Sequence, residues 1–336
     1  MTVLYVTEPG TVVSMNEGQV VIETKSGLKK YIPIETLENV VLFGPSHITT
    51  NCHISFLTRG INITYLSSSG NFFGRTESTK HINIYRQRSQ FKLGENEGFC
   101  IEFTRRILYA KINNQKVLLR RYNRYRNIES VTKSIDEIDI FLDKISKANS
   151  IEQMMGYEGN ASKVYFKSLG QLVNSNFKFY NRSKMPPRDP FNAMLSLGYT
   201  LLLYEIYTAI SLKGLNPYAG FMHKDKQGHP ALASDMIEEW RPVIVDSLVM
   251  KLILNNDILL NDFYNDGDAV LLTKSGLKKF IQSFEKKMLD EINYLGEYDE
   301  DNEMNFRRTL LFQANLLSKS IDNNDFSLYK PIHMRW

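Results

Sequence analysis

Residues 101–125, IEFTRRILYAKINNQKVLLRRYNRY, mark the point at which the chain changes from short strand-like runs to long helical ones. Apolar residues recur through this stretch at helical spacing, which predicts one long helix. The same spacing predicts further helices at 135–147, 161–173, 190–213 and 276–294. Prolines break the chain just before the helix that is expected from about Phe191. Most of the chain after residue 92 should therefore be helical.

The first 85 residues follow a different pattern. Short runs of β-branched and aromatic residues, separated by turn residues, predict strands at 3–6, 12–15, 19–23, 39–43 and 61–66. One short helix is expected from Thr50 to Arg59, ended by Gly60. The patterns together predict an α+β fold, with an N-terminal β-sandwich-like domain at 1–88 and a larger, mostly α-helical domain at 93–336. The linker is expected within 79–93.

Net charge, cysteine content and the absence of certain motifs limit the classes of protein to which this chain can belong. The net charge of +4 is too small to indicate a nucleic-acid partner by itself. Two cysteines, Cys52 and Cys100, provide no disulfide framework, so a reducing cytoplasm is expected. The sequence has no leader-like N-terminus and no apolar run of about 18 residues, so neither secretion nor a membrane span is expected. It also lacks the glycine patterns that bind nucleotides, so no nucleotide cofactor is expected.

Charge is unevenly distributed along the chain. Eight basic residues and no acid lie between Phe103 and Asn127, whereas seven acids lie between Asp290 and Glu303. A basic stripe on a nearly neutral protein is typical of a surface that binds phosphates, and tyrosines within it can stack on unpaired DNA ends. The alternative is a solvated basic helix face with its tyrosines packed inward. The residues predicted to contact DNA are Arg105, Arg106, Lys116, Arg120, Arg121, Arg124, Arg126 and Arg241.

Three polar residues in unusual local contexts form a candidate metal site. Glu158 lies between glycines in MGYEG, His223 ends the turn-rich PYAGFMH, and Glu238 lies in LASDMIEEWRP. Two carboxylates and an imidazole are a hard ligand set that suits manganese or magnesium, with positions left for water and substrate. We expect Glu158 near a helix start and His223 in a loop. Such an ion typically acts on phosphate oxygens.

The sequence allows two roles for each of two residues near Glu238, Asp235 and Arg241. Asp235 lies one helical turn before it, on the same face. It is a candidate catalytic residue, either as a hydrogen-bond acceptor for a ligand or through a shared water. The alternative for Asp235 is an acid near the helix start that interacts with the helix dipole. Arg241, three residues after Glu238, is expected to pair with that carboxylate, with a phosphate contact as the alternative.

The segments around these residues resemble consecutive motifs of one family. They are MGYEGNASKVYF at 155–166, DPFNAMLSLGY at 189–199, GLNPYAGFMH at 214–223 and ALASDMIEEWRP at 231–242. In this order and spacing they resemble the CRISPR-associated adaptation integrase, Cas protein one. The resemblance extends to LYV at 4–6, GPSHITT at 44–50 and YKPIHMR at 329–335, and so covers nearly the whole chain.

The resemblance implies both an activity and an assembly. Glu158, His223 and Glu238 would bind Mn²⁺ or Mg²⁺ in a helical catalytic domain, and the family pattern allows Asp or Glu at the last position. The protein would form homodimers through its β domains, and two dimers would flank a small ferredoxin-like partner. It would insert short foreign DNA with free 3′ ends into the CRISPR repeat array by 3′-hydroxyl transesterification.

Two other functions remain open at this point. One is a metal-dependent nuclease selective for branched DNA, in which water is the nucleophile. The other is a non-catalytic DNA-binding scaffold, in which the acidic cluster is structural.

Overall fold

A computed structural model describes residues 2–173, 175–292 and 304–334. The chain divides into two compact units, Met1–Ile82 and Asn83–Trp336. The division falls within the predicted linker at 79–93. Part of the predicted acidic stretch, the end of the predicted helix at 276–294 and the last residue of the YKPIHMR motif lie outside the described residues.

The N-terminal unit contains two four-stranded sheets. The first has the order β1-β5-β7-β8, with β8 antiparallel to β7 and the other neighbours parallel. The second has the order β4-β3-β2-β6, with antiparallel neighbours except for the parallel pair β2 and β6. The strands are β1 Thr2–Val6, β2 Val12–Asn16, β3 Gln19–Glu23, β4 Lys29–Pro33, β5 Leu37–Phe43, β6 His47–Ile48, β7 Asn62–Leu66 and β8 Phe72–Thr76.

Both sheets contribute to one buried apolar core. Val13 and Val20 of one sheet lie in the same cluster as Val40 and Ile63 of the other, and all four are fully buried. Helix α1, Thr50–Arg59, adds Phe56 to this core. It ends as predicted at Gly60, whose φ of 77° is left-handed and suits glycine. The predicted sandwich-like arrangement is therefore confirmed.

The second unit is mostly helical. Its helices are α2 Ile84–Gly94, α3 Glu97–Arg126, α4 Glu129–Lys147, α5 Ile151–Gln171, α6 Pro190–Leu212, α7 Ala231–Trp240, α8 Ser247–Leu254, α9 Lys274–Leu289 and α10 Phe306–Asn323. A π-helical turn, Arg241–Asp246, joins α7 to α8. Two small antiparallel pairs complete the unit, β9 Phe263–Asp266 with β10 Ala269–Leu272, and β11 Glu291–Ile292 with β12 Met304–Asn305.

Helix α6 packs against α7, α8 and α10 within this unit. It is long and apolar enough to cross a membrane, but 83% of its most apolar window is buried inside the protein. Asp189 caps its N-terminus by accepting a hydrogen bond from the Asn192 amide, and Pro190 occupies the first turn. Burial on all sides is the pattern of a core helix.

Helix α5 differs from the prediction. It begins at Ile151, after the cap Ser150, so Glu158 lies in the helix interior and not near a helix start. Two glycines, Gly156 and Gly159, suggested a break. Each costs a helix about 1 kcal/mol. The buried face that includes Met154 offsets this cost.

Candidate active site

Three helices bring two carboxylates to one lysine. Lys111 of α3 places its Nζ 2.5 Å from Oε1 of Glu158 on α5 and 2.5 Å from Oε2 of Glu238 on α7. All three side chains are at most 18% exposed. Ser162, one turn after Glu158, donates a hydrogen bond to the same Oε1. Residues far apart in sequence therefore form one charged cluster, as the candidate metal site requires of Glu158 and Glu238.

His223 lies in the loop before α7, where Asp235 fixes it. Oδ2 of the fully buried Asp235 accepts hydrogen bonds from the amides of Phe221 and Met222 at 2.7 and 3.0 Å. Oδ1 accepts one from the His223 amide and lies 2.6 Å from Nδ1 of the His223 ring. Asp235 thus uses both oxygens to hold the loop and the ring. When Nδ1 carries the proton of this hydrogen bond, the lone pair of Nε2 is free for a ligand.

Gly220 allows this close packing. A Cβ at this position would lie 2.8 Å from Oδ2 of Asp235 and 2.8 Å from the Ala231 side chain. Any other residue would therefore push the loop away from α7. The glycine in PYAGFMH is required for the approach of the histidine loop to Asp235.

The charges in the cluster stabilise one another. Burial alone would raise the pKa of Glu238, but the cations of Arg241 and Lys111 lower this pKa to about 2. Burial would lower the pKa of Lys111, but Glu158 and Glu238 more than offset it, so this pKa is raised. The hydrogen bond to Asp235 raises the pKa of His223, against the effect of burial. Glu238 and Lys111 are therefore both charged at neutral pH.

The donor set fits a hard divalent cation, although Lys111 now lies between two of the expected ligands. Glu158 and Glu238 already converge on one positive charge, and His223 is close enough for Glu238 to raise its pKa. Carboxylate oxygens and an imidazole nitrogen suit manganese or magnesium. Within the described ranges, no three Asp, Glu, His or Cys side chains are already arranged around a common point.

Arg241 pairs with Glu238, as its spacing indicated. Its Nη2 lies 3.1 Å from Oε1 of Glu238, and its guanidinium lies over the ring of Tyr199, 4.6 Å from the ring centre. Tyr199 and the fully buried Tyr165 both donate hydrogen bonds to Asp246, at the end of the π-helical turn. Burial raises the pKa of Asp246 to about 6. A phosphate contact by Arg241 stays a prediction.

A segment late in the chain fastens α3 to α7 behind the cluster. Asn114 donates hydrogen bonds to the backbone oxygens of Glu239 and Ile332, and accepts one from the Met334 amide. The Glu239 carboxylate accepts hydrogen bonds from the Tyr329 hydroxyl and the Ile332 amide. Burial raises the pKa of Glu239 to about 8. We call residues 329–334 the clasp, because they hold the neighbours of Lys111 and Glu238 together.

The basic stripe on α3 separates into two parts. In its first part, Arg105 and Arg106 both pair with Glu102, at 2.7 and 2.6 Å. Lys116 lies 2.6 Å from Asp139 of α4. The carboxylates of Glu102 and Asp139, which lie outside residues 103–127, therefore neutralise part of the basic stripe. Residues 103–127 contain no acid themselves, so the sequence of this stretch did not indicate these pairs.

The second part lies at the end of α3. Arg121, Arg124 and Arg126 are exposed there, and Arg120 is half-buried. Tyr125 is 87% exposed, whereas Tyr122 points inward and donates a hydrogen bond to the Ser247 carbonyl. This end of the helix is the part that offers charge and an aromatic ring to solvent. Its contact with DNA stays a prediction, as does that of Arg105, Arg106 and Lys116.

Sequence reasoning missed Lys111 as a member of the site. The signal was present, because Lys111 lies four residues after Ile107 and three after Leu108, on the face of α3 that is buried. A lysine is almost never fully buried unless it is paired. Lys111, which is 8% exposed, therefore needed an acidic partner from elsewhere in the chain.

Comparison with known proteins identifies the family. The family model described as CRISPR associated protein Cas1 matches residues 4–286. The chain belongs to the Cas1 family. The CRISPR-associated endonuclease Cas1 of Mycobacterium tuberculosis is 34% identical over 297 residues, which cover 88% of this chain and 87% of that protein. The family resemblance drawn from the four motifs is confirmed.

Solved structures show the same fold at lower identity. A casposase bound to an integration product is 20% identical, with a TM-score of 0.85, and the match covers 99% of this chain and 95% of that one. A Cas6-RT-Cas1–Cas2 complex contains a chain that is 21% identical, with a TM-score of 0.84 over all of this Cas1 family member. This chain spans 36% of that longer one. The α+β fold expected from the sequence is thus confirmed.

Proposed function

We propose that this Cas1 family member is a divalent-metal-dependent DNA integrase and endonuclease of CRISPR adaptation. It inserts short foreign DNA into the repeat array by 3′-hydroxyl transesterification. The observation that carries the proposal is the convergence of Glu158 and Glu238, from two helices, on one positive charge, together with an oriented His223 whose charge interacts with that of Glu238. This is the ligand set expected of the family, formed by residues of this chain.

Glu158, Glu238 and Nε2 of His223 would hold Mn²⁺ or Mg²⁺. When bound, the ion supplies a positive charge that acidifies a hydroxyl and screens charge on phosphate oxygens. Asp235 keeps the His223 ring in one orientation through the 2.6 Å contact with Nδ1. Arg241 neutralises the other oxygen of Glu238 and is itself held over Tyr199. The burial of Glu238 keeps bulk water from these charges.

The nucleophile in this proposal is the DNA substrate. Its 3′-hydroxyl loses its proton and attacks a phosphate at a repeat end, and a new O–P bond forms. The bond from that phosphorus to the leaving 3′-oxygen breaks, and the leaving oxygen takes up a proton to become a hydroxyl. One phosphodiester replaces another, so no nucleotide hydrolysis is needed. The protein positions the two ends and stabilises the charge on the phosphate.

The proposed partners are double-stranded DNA with free 3′ ends, the CRISPR repeat and a second adaptation protein. The fold neighbours include a casposase bound to an integration product and a complex that contains Cas1 and Cas2. We propose homodimers formed through the N-terminal unit, with two dimers bridged by a small ferredoxin-like protein, in the cytoplasm. The exposed arginines at the end of α3 provide phosphate contacts.

The test is integration of labelled DNA into a repeat-bearing plasmid with Mn²⁺. DNA with a 3′-hydroxyl should be joined to the plasmid, and the same DNA with a 3′-deoxy end should not. His223→Ala should abolish joining but retain most of the DNA affinity, because affinity comes from many phosphate contacts elsewhere. The matched control is His229→Ala, which changes a neighbouring histidine that is not among the proposed ligands.

The outcomes separate the three candidate functions. Cleavage of branched DNA without joining indicates a nuclease. Binding without either reaction indicates a scaffold. Wild-type joining by a well-folded His223→Ala protein would show that the reaction occurs elsewhere.

A further inference from the structure

Lys111 occupies the place in which the two carboxylates would hold an ion. Its Nζ lies 2.5 Å from an oxygen of Glu158 and 2.5 Å from an oxygen of Glu238. A divalent cation shared by the same two oxygens would lie at about 2.0–2.6 Å from each. An ammonium and a divalent ion cannot both fit there, because their charges repel and their volumes overlap.

Both oxygens of Glu238 already contact a cation. Oε2 contacts Lys111 and Oε1 contacts Arg241. Arg241 has a second anchor, the ring of Tyr199 beneath its guanidinium. Lys111 ends in a compact charge on a flexible four-carbon chain, which can move by rotation alone. Of the two cations on Glu238, Lys111 is therefore the one that can leave.

We propose that Lys111 is an internal counter-cation that competes with the divalent metal for Glu158 and Glu238. Metal binding is then an exchange, in which the ion enters as the Lys111 ammonium swings out. This inference rests on the proposed function, because it concerns the same metal site. It adds that the chain lowers its own metal affinity and neutralises the carboxylates of Glu158 and Glu238 while no metal is bound.

The opposite role is also testable. A lysine that remained beside the carboxylates and oriented them would increase metal affinity. Loss of a group that orients ligands typically costs about 10–100-fold in metal affinity. Loss of a competing cation should instead increase the metal affinity. Whether the metal affinity rises or falls when Lys111 is replaced therefore decides between the two roles.

The first experiment measures Mn²⁺ binding to DNA-free protein by the electron paramagnetic resonance signal of free Mn²⁺. We expect Lys111→Met to bind Mn²⁺ on the order of tenfold more tightly than the wild type, because a unit charge within a few ångströms is removed. Lys147→Met is the matched control, since it removes a lysine and its ion pair with Asp143 on α4, outside the proposed metal ligands and DNA contacts. It should leave the Mn²⁺ affinity unchanged. Equal or weaker binding by Lys111→Met overturns the inference.

The second experiment needs no variant and covers the case in which Lys111→Met does not fold. Wild-type protein is labelled with an amine-reactive reagent, with and without Mn²⁺, and each lysine is quantified by mass spectrometry. Labelling of Lys111 should rise when Mn²⁺ is bound, whereas labelling of Lys116 should not change. Unchanged or lower labelling of Lys111 at saturating Mn²⁺ overturns the inference.

Failure of the underlying site is distinguishable from failure of the exchange. Glu238→Gln should remove Mn²⁺ binding in the same resonance assay. If the wild type binds no Mn²⁺, or if Glu238→Gln binds it equally well, the proposed metal site is wrong. If the wild type binds through Glu238 but Lys111→Met is no tighter, only the exchange is wrong.

Discussion

Replacement of Asp235 by Asn should weaken both the fold and the metal site. Oδ2 of Asp235 accepts hydrogen bonds from two amides, and Oδ1 accepts one from a third and lies beside Nδ1 of His223. The NH₂ group of Asn is a donor. In place of Oδ2 it faces two backbone amides that donate, and in place of Oδ1 it faces the His223 amide, whereas Nδ1 of the ring can then accept by changing tautomer. One or two hydrogen bonds to a charged acceptor are therefore lost, at about 1.5–3 kcal/mol each, or about 1.5–6 kcal/mol in all.

The assay is urea denaturation of the metal-free protein, followed by a Mn²⁺ titration of the folded variant. Whole-protein stability is typically about 5–15 kcal/mol, so Asp235→Asn should fold but with a clearly lower urea midpoint. Because His223 loses its orientation, the variant should also need roughly 10–100-fold more metal, with activity largely recovered at saturation.

The control for Asp235→Asn is Asp143→Asn, which removes a solvent-exposed carboxylate paired with Lys147 on α4. An exposed pair contributes about 0–1 kcal/mol, so this variant should resemble the wild type. If the two variants had the same urea midpoint and the same metal requirement, the hydrogen bonds of Asp235 would not stabilise the loop of His223.

Three further predictions concern charge. Glu238→Gln should nearly abolish Mn²⁺-dependent activity with little rescue by added metal, as measured by a metal titration with circular dichroism to check folding; full rescue would exclude Glu238 as a ligand. Neutralising Arg120, Arg121 and Arg124 together should reduce the log–log salt dependence of duplex binding by about 0.9 per lost phosphate contact. Arg105 and Arg106, which pair with Glu102, and Arg120, which lies 3.7 Å from Asp139, should contribute least. Burial raises the pKa of Asp246 to about 6, above its ordinary value, so its ionised form disfavours the fold and this residue should lower stability as pH rises from about 4 to about 6. Urea midpoints across that range should fall less steeply for Asp246→Asn than for the wild type; identical slopes would contradict the raised pKa.

The sequence predicted elements well where burial and local signals agree. Helix α1 has both an N-cap, Thr49, and a left-handed end at Gly60, and its predicted bounds match the structure. The missed strands lack the apolar alternation used to find them. Strand β4 is largely exposed and begins with Lys29 and Lys30, and β6 has two residues. Such strands form because a neighbouring strand offers its hydrogen-bonding edge, which a single sequence does not record.

The sequence predicted most of the residues of the candidate site, but it did not predict the contacts that they make with one another. The motifs named both carboxylates and His223, and local spacing gave the pairing of Arg241 with Glu238. Local spacing could not give the contact of Asp235 with the loop amides, since it depends on how the loop folds back over α7. It could not give Lys111 either, because the partners of Lys111 come from two other helices.

The clasp determines how late in synthesis the framework of the candidate site can be completed. Asn114 bonds to the Ile332 carbonyl across 218 positions of sequence, so a growing chain exposes α3 and α7 long before the segment that fastens them exists. Until then Asn114 and the buried Glu239 lack the partners that this segment supplies. The framework around Lys111 and Glu238 is therefore completed only late in synthesis.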